Sequence, residues 1–194
     1  MLVDGGYFDY INSYCRDVHG SKVDIQAFGE KIADYFGVDL LRLKYSHSLP
    51  YSNVNRELTP EEQAENERTQ SFFDTIDNLT NCEHVKAGRV QESREHCPEC
   101  NQTYLDRNQK GTDVQIAVDL AKMAFNQHSP ECFILVAGDE DMIHGVRVAK
   151  DTHSNVYLGY AYDQSHQLFS AQLLRQECDD KVNIVDGFLE SVTL

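Results

Sequence analysis

The apolar positions along this chain switch repeatedly between two periods. Residues 133–137 are continuously apolar and partly β-branched or aromatic, which predicts a strand buried on both faces. Gly138 breaks the run, Asp139 and Asp141 come directly after it, and Met142, Val146 and Ala149 then recur at helical spacing. Residues 1–3 read as a shorter strand that ends at Asp4 and a glycine pair, Gly5 and Gly6, suited to a tight turn. Helices are predicted over residues 21–37, where Ser21 and Asp24 make a capping box, and over residues 59–77, opened by Thr59, Pro60 and Glu62. A further helix starts at Thr112, boxed with Gln115, and another runs over residues 165–178. Residues 40–45, 82–90, 155–160 and 182–185 read as strands, with Val85 and Ala87 facing inward and a terminal helix closing the chain. A loop holding Pro50 joins residue 45 to Thr59. Strands alternate with helices, so the fold class is α/β: a mostly parallel sheet with helices on both faces. The 194 residues fit one domain, 1–194.

Residues 91–108 interrupt that alternation. They are polar, poor in aliphatics and centred on His96, Cys97, Pro98, Glu99 and Cys100, and they read as a small insertion. A Cys-x-x-Cys turn brings two thiolates onto one ion and is half of a tetrahedral zinc site. Cys97 and Cys100 are thus candidate ligands of a structural zinc, with His96, His84, Cys82 or a second subunit supplying the rest. Two free cysteines in a surface loop are the plain alternative. Zinc here would fold the insertion rather than catalyse.

Composition changes the picture mainly through charge. The net charge of −15 argues against broad electrostatic binding to nucleic acid, which wants a basic face. It leaves open a metal-dependent enzyme, because bound cations offset the field at a polyanion. Five glutamates between Glu57 and Glu67 account for part of the acidity and read as a solvated helix face or a surface for a basic partner protein. No apolar run is long enough to span a bilayer, and the start carries no signal-peptide pattern. The six scattered cysteines then read as reduced, and the expected location is cytoplasmic.

The remaining chemistry lies in carboxylates. In open α/β sheets ligands bind beyond the carboxyl ends of the strands. Asp4 ends one predicted strand, and Asp139 and Asp141 come just after another. Asp113 falls in the first turn of the helix from Thr112, in line with Ala117, Leu120 and Ala124 on the expected buried face. Asp119 falls on the polar arc of that helix with Gln115 and Lys122. Each acid also has an ordinary reading, Asp4 as a turn former and the others as helix-start charges. Together they are different. Two unit charges at about 4 Å repel by roughly 4 kcal/mol at an effective dielectric of 20, so a convergent cluster needs a cation or raised pKa values. Oxygen ligands suit magnesium or manganese. Lys110 is placed to offset the charge or touch a phosphate. No P-loop and no serine or cysteine nucleophile motif competes.

Three blocks carry a family resemblance: Val3-Asp4-Gly5-Gly6-Tyr7, Lys110-Gly111-Thr112-Asp113 running into Ala117-Val118-Asp119-Leu120, and Leu135-Val136-Ala137-Gly138-Asp139-Glu140-Asp141. In order and spacing the chain resembles NYN-domain proteins of the PIN-like nuclease superfamily. The resemblance implies a Rossmann-like sheet and a magnesium- or manganese-dependent ribonuclease in which Asp4, Asp113, Asp139 and Asp141 bind the metal. It also makes Asp119 a lesser candidate, against its helical-wheel position. Tyr7 stands where many members have asparagine, and Ala137 where serine or threonine is usual.

Two functions fit these residues. The first is a nuclease whose metal-bound water attacks a phosphodiester, with single-stranded or structured RNA favoured by the resemblance. The second is a non-catalytic module binding nucleic acid or a basic protein, retaining the acidic pocket, and either can be a homo-oligomer. A phosphatase of the haloacid dehalogenase type is disfavoured because Gly6, not aspartate, stands two residues after Asp4. Tyrosines between Tyr45 and Tyr51 are candidate base-stacking groups.

Overall fold

Short runs, the central ones apolar and buried on both sides, pair into one six-stranded parallel sheet in the computed structural model, which describes residues 1–52, 57–185 and 187–194. Its strands are β1 (Leu2–Asp4), β2 (Leu43–His47), β3 (Cys82–Lys86), β6 (Cys132–Val136), β7 (Asn155–Tyr160) and β8 (Asp180–Asn183), in the spatial order β3-β2-β1-β6-β7-β8. Strands β4 (Arg89–His96) and β5 (Thr103–Lys110) form a separate antiparallel hairpin.

Strand alternation splits the core in two. Val3, Ile134 and Val136 face one side, where α1 (Gly5–His19), α2 (Ile25–Phe36), α3 (Pro60–Asn78) and α7 (Gly187–Glu190) pack through Phe8, Ile11, Phe28, Phe73 and Leu189. Leu2, Phe133 and Leu135 face the other, against α4 (Thr112–Ala124), α5 (Ile143–Asp151) and α6 (Gln172–Glu177). The α/β class, the parallel sheet and the helices on both faces are as the periodicity predicts. No described helix is long and apolar enough to cross a membrane.

The chain runs outward from β1 through β2 to β3, then crosses back to place β6 on the other side of β1. Strand order therefore reverses between β1 and β6, with Leu2 beside Lys44 on one flank and Leu135 on the other. That is the position at which open α/β sheets leave a crevice.

Several local expectations are corrected. Residues 5–19 form a helix rather than a turn, because Asp4 caps it and Phe8, Ile11 and Cys15 supply a buried stripe. Helix α2 starts one turn later than predicted: Asp24 is its cap, and the Ser21 hydroxyl donates to the Leu194 carbonyl instead. Predicted strand 82–90 ends at Lys86, and residues 89–110 continue as the hairpin. Residues 163–168 turn back on themselves through Asp163, which accepts from Ser165, so α6 begins only at Gln172. The Thr59 capping box stands as predicted. Of the predicted loop after residue 45, positions 53–56 lie outside the described residues, as does Asp186 before the terminal helix.

Candidate active site

Asp4 is the last residue of β1, and the start of α1 holds its carboxylate. Oδ1 accepts the N–H groups of Gly6 at 3.0 Å and Tyr7 at 3.4 Å, capping α1 at its positive end. Gly5 is required there by space, since a Cβ would lie 2.5 Å from Cδ2 of His47 and 2.9 Å from the Ser46 carbonyl. Burial pushes the Asp4 carboxyl above its ordinary value, and Asp113 adds to this, while the capping N–H groups and His47 oppose it.

Across the strand-order reversal, Asp139 stands just beyond β6. Its Oδ1 accepts the Asp141 N–H at 3.2 Å and so caps a single 3-10 turn, Glu140–Met142, that leads into α5. Both aspartates are exposed. The Asp141 carboxyl is raised by Asp139 first, then by desolvation and by Asp113, which comes within hydrogen-bonding reach of it. Asp113 enters from the first turn of α4. The four predicted acids thus line one cleft of about 1060 Å³ over the carboxyl ends of β1 and β6.

The setting of Asp113 differs from the expected one in two ways. The N-cap of α4 is Gly111, with no side-chain cap bond, and Thr112 is buried with its hydroxyl donating to the Ala87 carbonyl at 3.2 Å. The buried face of α4 is Thr112, Ile116, Leu120 and Ala124, so Asp113 lies beside that face rather than on it, turned toward the cleft. Asp119 accepts from Gln115 Nε2 at 2.9 Å and is not part of the cleft wall.

Tyr7 is buried beneath the floor of the cleft. Its hydroxyl donates to the Ala161 carbonyl at 3.0 Å and accepts the Ala161 N–H at 2.8 Å, and burial pushes the phenol up to about 12. Its ring fills the space over Gly138, where a Cβ would come within 2.3 Å of Cε2. Tyrosine at this position therefore joins the end of β1 to the end of β7 and fixes the break after β6.

The hairpin forms a wall of the site that its polar sequence does not reveal. Arg107, Asn108, Gln109 and Lys110 all border the cleft. Gln109 Nε2 lies 2.6 Å from His47 Nε2, which also faces Asp9 Oδ2 at 3.2 Å. Burial alone would push the His47 imidazole down, but Asp9 and the Ser48 carbonyl hold it net above its ordinary value. Arg107 pairs with Glu62 and Glu92 and lies over the Tyr51 ring at 4.1 Å, which occupies one face of a candidate stacking tyrosine. Tyr45, the other, is buried at 1% exposure and cannot stack on a ligand. The exposed aromatics of the cleft are instead Tyr10 on α1, 68% exposed, and Phe169 before α6, 58% exposed. The sequence signal for Tyr10 is its place off the Phe8, Ile11 and Cys15 stripe, on the side of α1 left to solvent.

Among the described residues, no three His, Cys, Asp or Glu side chains close on one point tightly enough to hold a metal. The donor set still suits a hard divalent cation. It offers oxygen alone, all of like charge, with Asp4 and Asp141 already held toward protonation in ways a cation would reverse. Magnesium keeps several waters and needs only one or two carboxylates directly.

Cys97 and Cys100 lie elsewhere, at the turn of the hairpin. Eight residues of β5 at about 3.3 Å each put them roughly 25 Å from Lys110 at the cleft. His84 stacks on Phe73 at 3.7 Å in the main sheet, and His96 faces Thr103 Oγ1 at 3.3 Å.

No curated protein and no solved structure matches the chain. A family model described as NYN domain matches residues 1–185 of the 194. With its parallel sheet, its strand-order reversal and its acids gathered there, the chain belongs to the NYN-domain family of the PIN-like nuclease superfamily.

Proposed function

We propose that the protein is a metal-dependent ribonuclease that hydrolyses phosphodiester bonds in single-stranded or unpaired RNA. Membership of a nuclease family supports the broad class. The observation that carries the finer reading is the meeting of Asp4, Asp113, Asp139 and Asp141 in one cleft at the strand-order reversal. These four would hold magnesium or manganese, which when bound supplies an activated water and neutralises charge on the phosphate. Asp4, fixed by two backbone N–H groups, orients one side of the cleft, while Asp139 and Asp141, both exposed, face it from the other. Lys110, exposed on the rim, is the chain's own cation for a phosphate, since Arg107 is already paired.

Preference for unpaired strands arises from the electrostatics. Asp4, Asp9, Asp113, Asp139, Glu140 and Asp141 line the cleft against Arg107 and Lys110, so phosphate attraction contributes little. Tyr10 and Phe169 offer ring faces, and stacking contributes about 1–3 kcal/mol per base only where bases are unstacked.

The test is cleavage of end-labelled single-stranded RNA and DNA with manganese, run beside EDTA and Asp139→Asn controls. RNA cleavage lost in both controls is expected. Cleavage that survives Asp139→Asn would overturn the reading. A second function, a binding module that keeps an acidic pocket, is favoured by the excess of acids over cations on the cleft wall, which suits a basic partner better than a polyanion. It predicts no cleavage and no heat on calorimetric titration with manganese.

A further inference from the structure

The far end of the hairpin has no part in the cleft. From Arg94 to His96 and from Pro98 to Tyr104 every described residue is exposed, so neither face of the tip packs on the body. A two-stranded ribbon is marginal in water unless something fastens it. The base is fastened: Arg107 bridges Glu62 and Glu92, and Gln109 reaches His47. The tip holds a tight turn, with the Cys97 N–H donating to the Gln102 carbonyl at 2.9 Å and the Asn101 N–H to the Cys97 carbonyl at 2.9 Å. Asn101 takes the left-handed conformation, φ 55°, that closes it.

Cys97, half-buried, and Cys100, exposed, stand three positions apart within that turn, the spacing at which a turn brings two thiolates onto one ion. A structural zinc site is closed with four ligands, and the turn presents two. His84 and Cys82 belong to β3 of the main sheet, with His84 stacked on Phe73. Because the tip is narrow and exposed on both faces, a second tip can approach it without meeting either body.

We propose that Cys97 and Cys100 are half of a tetrahedral zinc site completed by the same two residues of a second copy of this chain, joining two molecules hairpin to hairpin. Binding releases the thiol protons and changes no oxidation state. The occupant is committed by stoichiometry: two thiolates from each of two chains complete one ion. Since the base of each hairpin walls a cleft, the joined pair carries two clefts on one ribbon axis.

Zinc-linked pairing is independent of nuclease activity, because its test reads mass and metal. Reduced protein is sedimented with and without zinc chloride, and its metal content is measured. The expected result is a doubling from 22.1 kDa on zinc addition, one zinc per two chains beyond what the cysteine double variant below retains, and reversal by EDTA. Cobalt in place of zinc should give thiolate-to-metal absorption, which a cation on the aspartates cannot give. The Cys97→Ser/Cys100→Ser variant should stay monomeric with zinc while its circular dichroism is unchanged. A monomer holding one thiolate-bound metal per chain would overturn the proposal, as would a dimer that persists in the double variant or the absence of any thiolate band.

Discussion

The two corners that meet at the cleft are built alike and constrained differently. Each is a parallel strand ending at an aspartate that caps the next element: Asp4 after β1, Asp139 after β6. Asp4 is half-buried and receives two N–H groups of a 15-residue helix. Asp139 is exposed and receives one N–H of a three-residue turn. Under the proposed function one carboxylate is therefore structural as well as chemical, and the other is almost purely chemical. Loss of function at the two positions should separate in the stability it takes with it.

The largest expected effect is on catalysis at the exposed corner. Asp139→Asn should lower cleavage by at least about 100-fold, since groups that merely orient metal ligands already cost up to that much. Its unfolding free energy from urea titration should stay within about 0.5 kcal/mol of the parent, as for other surface changes. A large loss of stability would erase the distinction between the corners. Next is Gly138→Ala, where the new methyl meets the Tyr7 ring at 2.3 Å. Overpacking of this kind costs about 1–3 kcal/mol, and denaturant unfolding will register it even with the aspartates untouched.

At the buried corner, two substitutions divide the roles of Asp4. Asp4→Ala removes cap and charge together and should cost about 1 kcal/mol as well as activity. Asp4→Asn keeps an oxygen for the cap. It should lose activity with no loss of stability, because the raised carboxyl shows that the folded chain disfavours the charge there. Equal destabilisation by both would mean that the charge itself is holding the helix. The smallest effect concerns His47. Asp9→Asn should lower its pKa in an NMR titration, since Asp9 is one of the groups holding it up. A raised histidine pKa stabilises the fold fully below the unfolded value of about 6.5, and that stability is lost as pH rises through the folded value. The parent should therefore lose more stability than the variant between mildly acidic and mildly alkaline pH.

Burial writes itself into sequence as period, and the parts of this fold that bury most are the parts legible there. The segments at 133–137 and 155–160 give strands at Cys132–Val136 and Asn155–Tyr160, because those strands are covered on both faces. Aspartates at strand ends are legible because chain order places them there before any packing is known. Helix α1 is hidden by Gly5 and Gly6; the reason for Gly5 is the neighbouring His47 rather than a turn, although Phe8, Ile11 and Cys15 carry the stripe. The hairpin is hidden for the opposite reason. It buries too little to be patterned, and its place at the cleft depends on partners such as Glu62 and His47 that are distant in sequence.

The strand order has a consequence for how the chain comes to fold. Leu2 pairs with Lys44 on one side and with Leu135 on the other. The central strand must therefore wait for a neighbour synthesised some 130 residues later, several seconds away at about 5–20 residues per second. Until β6 arrives, β1 exposes an unpaired edge and the apolar side of Leu2. Closing so long a loop for a parallel pairing is slow, and it is the step at which a holding chaperone would have most to cover.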